Sequence, residues 1–100
     1  MARSPVIMGA HVSKEIKRIV YSERLEEILA RLKKKNQPVF QQTLRQIDKI
    51  LREPAIGKPL RYTLKNRRRV HVGSFVLIYE FRNGELRFLD FDHHDNIYKK

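Results

Sequence analysis

Apolar residues recur along this chain with two different periods, and the change from one to the other divides it. In "SERLEEILARLKKKN", residues 22–36, Leu25, Ile28, Leu29 and Leu32 fall at i, i+3, i+4 and i+7, one stripe of an amphipathic helix. Ser22 suits the N-cap and Asn36 the stop. Glu23, Glu26 and Glu27 lie early and Lys33, Lys34 and Lys35 late, the order that the helix dipole favours. "QPVFQQTLRQIDKILREP" repeats the period with Phe40, Leu44, Ile47 and Leu51, and Ile50 beside them. Pro38 fits the first helical position and Pro54 marks the end. So short a connection predicts an antiparallel helical hairpin whose apolar side needs a cover.

The cover lies in the second half, where the period falls to two. "RRVHVG" alternates, with Val70 and Val72 on one face and Arg69 and His71 on the other. "SFVLIYEF", residues 74–81, is apolar on both faces, as a central strand buried on two sides must be. Asn83-Gly84 in "RNGE" is the strongest two-residue hairpin signal, and "LRFLDFDHH" is the returning strand. "IKRIVYS", residues 16–22, reads as a first strand and "DNIYKK" as a short tail. Residues 1–15 show no period and are treated as an extension; residues 16–100 form one domain. The predicted class is α+β: an N-terminal antiparallel helical hairpin packed on one face of a small, mainly antiparallel sheet.

Composition narrows the partners. The 100 residues are 41% hydrophobic, enough for one modest core, and carry a net charge of +11. Such a density of like charge repels itself, and a polyanion relieves that cost, nucleic acid first. Without cysteine, neither a disulfide framework nor a thiolate metal site can form. The longest apolar run, "VIMGAHV" at residues 6–12, is too short for a membrane span and lacks the form of a signal peptide. A soluble, cytoplasmic protein that binds no membrane is expected.

The charge is concentrated. Lys58, Arg61, Lys65, Arg67, Arg68 and Arg69 stand between Glu53 and Glu80 with no acidic residue among them. With Arg69 and His71 on the strand face away from Val70 and Val72, and the preceding loop at its rim, these cations would form an anion-binding surface on the sheet face that the helices leave open. A solvated loop is the plainer alternative. The second cluster is "DFDHHDNIY", residues 90–98, with His93, His94, Asp92 and Asp95. Imidazoles can take a proton from one atom and return it to another, as metal-free cleavage of RNA through its own 2′-hydroxyl requires. Adjacent histidines diverge on a strand and no second cluster completes a ligand shell, so no metal and no cofactor are expected. A packed or capping histidine at a strand end is the structural alternative for one of the two, and Tyr98 either stacks on a base or anchors the tail.

The order strand, helical hairpin, basic loop, antiparallel sheet and histidine-bearing tail resembles the RelE/ParE superfamily of type II toxins. The likeness is carried by "GKPLR" (57–61), "RRVHVGSFVLIYEF" (68–81) and "FDHHDNIYK" (91–99), and extends from about Lys17 to the C-terminus. The resemblance implies a toxin held silent by a small acidic antitoxin of the RelB kind. RelE-type members cleave mRNA on the ribosome without metal. Carried over by position, the basic pair of the first strand after the helices falls on Arg69 and His71, and the tail tyrosine on Tyr98. The arginine usual after the strand's aromatic is absent, because Val76 follows Phe75, and the tail pair, often His-Arg, is His93-His94.

The catalytic candidates are therefore Arg69, His71, His93, His94 and Tyr98, and the RNA-binding or anion-binding candidates Lys58, Arg61, Lys65, Arg67 and Arg68. The expected activity is that of an mRNA endonuclease acting with the ribosome, with no homo-oligomer expected outside an antitoxin complex. The missing arginine keeps two alternatives open: a ParE-like inhibitor of a topoisomerase that cleaves nothing, and an inactive relative that only binds nucleic acid or antitoxin.

Overall fold

The computed structural model describes residues 12–60 and 66–98, with only the backbone of Tyr98. Two residues organise the helical half. Ser22 follows strand β1 (Arg18–Tyr21) and opens helix α1 (Glu23–Lys35), its Oγ accepting from the Leu25 N–H at 3.0 Å. The same hydroxyl donates to the Leu89 carbonyl at 2.8 Å, so one cap also fastens α1 to the sheet. Asn36 ends α1 by donating its N–H to the Leu32 carbonyl, and starts helix α2 (Gln37–Arg52) by accepting from the Val39 N–H through its side chain at 3.3 Å. One residue thus serves both helices, which forces the hairpin. Leu25, Leu29, Phe40, Ile47, Ile50 and Leu51 are buried, with Ile28, Leu32 and Leu44 packed against them.

The other half supplies β2 (Lys58–Pro59), β3 (Arg67–Val72), β4 (Phe75–Arg82), β5 (Glu85–His93) and a short helix α3 (His94–Tyr98). The five strands lie in the order β1-β5-β4-β3-β2, antiparallel except for β1, which runs parallel to β5. Asn83 and Gly84 both take positive φ, 51° and 80°, and turn β4 tightly into β5. Leu77 and Tyr79 of β4, Leu86, Phe88 and Phe91 of β5, and Val72 of β3 join the helices in one core. Each fully buried side chain of this size contributes roughly 1.5–3 kcal/mol. Val76 and Ile78, which point to the opposite face, are buried as well, but outside that core. The β4–β5 register skips Leu89 between the pairs Ile78–Asp90 and Tyr79–Phe88. That bulge lets Leu86, Phe88 and Phe91 share the helix side although strict alternation would turn Phe91 outward.

The connection from α2 into the sheet is held by a buried hydroxyl. Tyr79 Oη donates to the Pro54 carbonyl at 2.6 Å and accepts from the Gly57 N–H at 2.8 Å; burial raises the pKa of this phenol above its ordinary 10.0. Gly57 is needed for the close approach: a Cβ there would stand 2.7 Å from Tyr79 Oη and 2.9 Å from the Arg69 carbonyl. Arg68 closes the same corner, donating to the Gly57 carbonyl at 2.6 Å and to that of Ala55 at 3.3 Å. Replacing Tyr79 by Phe leaves a buried carbonyl and N–H unmet, and is expected to lower unfolding free energy by about 1–3 kcal/mol in urea titrations. Unchanged stability would show that water meets both groups.

Candidate active site on the open sheet face

Strand register decides which side chains can meet. His71, Val76 and Asp92 face one another across β3, β4 and β5; Arg69 lies opposite Ile78, and Arg67 opposite Glu80. All stand on the face that α1 and α2 leave open, and Lys58, paired with Arg69, shares it. Beyond β5 the chain turns into α3, which packs against β4 and β5. Its first residue places the His94 ring on that of His71, centroids 5.8 Å apart and planes 25° from parallel. The His94 N–H donates to the Ser74 carbonyl at 2.9 Å, fixing the backbone beneath the pair. The open face is thus bare of the long helices, and α3 covers its Val76 end.

α3 forms because Asp92 supplies what an isolated tail lacks. Its Oδ1 accepts from the His93 N–H at 2.7 Å and from Asn96 Nδ2 at 3.0 Å. Those two bonds, the Asn96 one foremost, and the charge of Arg24 lower the Asp92 pKa below its ordinary 3.8. Arg24 Nη2 lies 3.7 Å from Asp92 Oδ2, and Arg24 Nε lies 2.7 Å from Asp90 Oδ1. The β5 flank of this face is therefore acidic and already engaged, while the β3 flank carries the cations.

The structure separates candidates that sequence reading grouped. His71 and His94 meet. His93 is paired with Phe75 in the sheet and sits edge-on to that ring at 5.4 Å, on the helix side. Arg69 stays on the open face, its Nη1 donating to the Pro59 carbonyl at 3.0 Å. Arg68, expected at the rim of that face, faces Tyr79 instead and binds the carbonyls of Ala55 and Gly57, because strand alternation turns neighbours to opposite sides. Arg61, Lys65 and the Tyr98 side chain lie outside the described residues. Among the described residues no group of three His, Cys, Asp or Glu side chains converges as a metal site, and no helix is long and apolar enough to cross a membrane.

One feature escaped sequence reading. A groove of about 360 Å³ runs beside His71, lined by Arg45, Lys49, Gln42 and Gln46 of α2. Gln46 Nε2 donates to the His71 carbonyl at 2.9 Å and ties the helix to the strand. The available signal was the spacing: Gln42, Arg45, Gln46 and Lys49 recur at three and four residues on the polar side of α2. They bring two more cations beside His71.

Residues 18–98 match the model of the family described as "ParE toxin of type II toxin-antitoxin system, parDE". A protein of Methanocaldococcus jannaschii named "Putative toxin RelE4" is 40% identical over 79 residues, covering 76% of this chain and 84% of that relative. The chain belongs to the RelE/ParE superfamily of type II toxins. Solved structures share the fold of this toxin. The YoeB dimer of Staphylococcus aureus superposes with a TM-score of 0.68 at 16% identity, over 77% of this chain and 95% of that one. The toxin of the E. coli DinJ-YafQ complex is 26% identical with a TM-score of 0.58, over 80% and 96% of the two chains.

The toxin's α3 carries a pH dependence of known sign. Because the folded Asp92 pKa is depressed, its contribution is complete above the ordinary value near 3.8 and lost as pH falls through the lower, folded value. Protection of the residue 93–96 amides, taken relative to the free-peptide exchange rate at each pH, is expected to fall in that acid range before the helical hairpin opens, and Asp92→Asn should bring the same loss at neutral pH. Protection that does not change through this range would mean that the Asp92 bonds do not hold α3.

Proposed function

We propose that this type II toxin arrests growth by cutting mRNA on the ribosome, in the cytoplasm, using its own side chains without a metal. What supports the reading is the stacked His71–His94 pair on the face that carries Arg69, with Arg45 and Lys49 of α2 in the groove beside His71. One imidazole takes the proton of a 2′-hydroxyl; the 2′-oxygen bonds to the adjacent phosphorus. The phosphorus–O5′ bond then breaks, and the second imidazole, protonated, gives its proton to O5′. The products are a 2′,3′-cyclic phosphate and a free 5′-hydroxyl. Each imidazole must reach roughly 3 Å from the oxygen it serves, and two rings in contact can flank a single phosphate. Arg69, with Arg45 and Lys49, opposes the charge that builds on the phosphoryl oxygens. Tyr98, at the end of α3, is assigned to stack on a base, and Lys58, Arg61, Lys65 and Arg67 to hold the flanking backbone.

Val76 favours a second reading. It is fully buried between His71 and Asp92, where relatives by resemblance place an arginine, so the β4 position between those two residues carries no cation. A toxin of this kind could instead bind a topoisomerase and cleave nothing. Which process stops first on induction, translation or DNA replication, separates the two.

The partner is an antitoxin, as in the DinJ-YafQ complex of the E. coli relative. With +11 on this chain, that antitoxin is acidic and its complex tightens as salt falls. Affinity that stays flat from low to high salt would assign the complex to apolar burial instead.

Replacing Arg69 and His71 together by alanine is expected to abolish growth inhibition and mRNA cuts while the fold survives. His94→Ala alone should reduce cutting by at least about 10²-fold, the usual size of a lost proton-transfer group. Full toxicity of the double variant would overturn the site.

A further inference from the structure

The open face has a second basic centre at the far end of β4, which the chemistry above does not use. Lys17, Arg18, Arg82 and Arg87, with Glu80 and Glu85, line a cavity of about 620 Å³ beside the Asn83-Gly84 turn. Arg18 and Arg87 both turn to Glu85, at 3.4 and 2.7 Å. Lys17 and Arg82 have no carboxylate within ion-pair distance among the described residues. Four cations against two carboxylates leave this basin positive.

A cationic row leads to it. His71, Arg69 and Arg67 alternate along β3 on the open face, and Arg67 ends opposite Glu80 at the basin. The Arg67 Nε is shielded from solvent and meets no hydrogen-bond acceptor in the described structure. Across β4, Asp90 and Asp92 of β5 are already engaged by Arg24, so the row along β3 is the basic track that leads a polyanion to the basin. From Val76 to Arg82 is six residues of strand, about 20 Å at roughly 3.3 Å each, a span of several nucleotides.

The geometry points to a second anion-binding subsite: the basin of Lys17, Arg82 and Arg87 holds a backbone phosphate of the same RNA strand whose scissile phosphate lies at His71 and His94. This subsite rests on the nucleic-acid reading of the open face and assigns that face a length requirement. A short oligonucleotide fills the histidine end alone. A long one reaches both ends and gains affinity from the basin.

The test uses 2′-O-methyl RNA, which lacks the attacking hydroxyl, as a dinucleotide and as a dodecanucleotide, with binding followed by fluorescence anisotropy across a salt series. The Lys17→Ala/Arg82→Ala variant is expected to bind the dinucleotide like the parent and the dodecamer severalfold more weakly. The slope of its log affinity against log salt should fall by about 1.4, two contacts at ~0.7 each for a single strand. Glu80→Gln, which removes a carboxylate from the basin, should tighten the dodecamer; this arm decides should the double variant not fold. Dodecamer affinity and slope equal to the parent's in both variants overturn the subsite and leave the nuclease reading standing. A parent chain that binds neither oligonucleotide overturns that reading, and the subsite with it.

Discussion

Strand β4 is apolar on both faces, and this one constraint organises the molecule. A strand with Leu77 and Tyr79 on one side and Val76 and Ile78 on the other cannot sit at an edge or face water. It must be central, with β3 and β5 beside it and cover above and below. The helical hairpin supplies the larger cover, and α3 lies across one end of the other face. Because β3 and β5 are both registered against β4, His71 and Asp92 are placed on either side of Val76 without any contact between their own strands. The turn into α3 then carries His94 onto His71. A packing requirement at the centre of the sheet thereby sets the spacing of the polar groups on its surface.

The same economy appears at the corners. Ser22 caps α1 and binds Leu89 of β5, Asn36 closes one helix and opens the next, and the Tyr79 hydroxyl fastens the α2–β2 connection to the centre of the sheet. Each is a polar group whose local duty and tertiary duty coincide, so local and global preferences agree. Arg68 belongs with these. Its neighbours Arg67 and Arg69 face the open surface, whereas Arg68 holds Gly57 against Tyr79, a structural task for a cation within a run of three.

Much of the fold was legible because it follows from period and caps. The stripes of α1 and α2, Ser22, Asn36, the two-sided β4 and the Asn83-Gly84 turn each carry a local signal that tertiary packing reinforces. Two things were hidden. The bulge at Leu89 shifts the phase of β5, visible only as the odd spacing of Leu86, Phe88 and Phe91, and it decides that Asp92 faces His71 while His93 turns to Phe75. α3 is too short to show a period, and depends on Asp92 and Ser74, whose bonds exist only once β4 and β5 have paired. The site divides in the same way. The basic face and its histidines could be read from alternation, but which tail histidine belongs to it, and the presence of Arg45 and Lys49 beside it, depend on how separate elements dock.

Everything functional hangs on one juxtaposition, His71 with His94 rather than His93. The most direct measurement is proton NMR of the free protein, looking for nuclear Overhauser contacts between assigned imidazole ring protons. A cross-peak between His71 and His94, with His93 in contact with Phe75, is the expected result. A His71–His93 contact, or no contact between His71 and either neighbour, would contradict the site and the chemistry assigned to it.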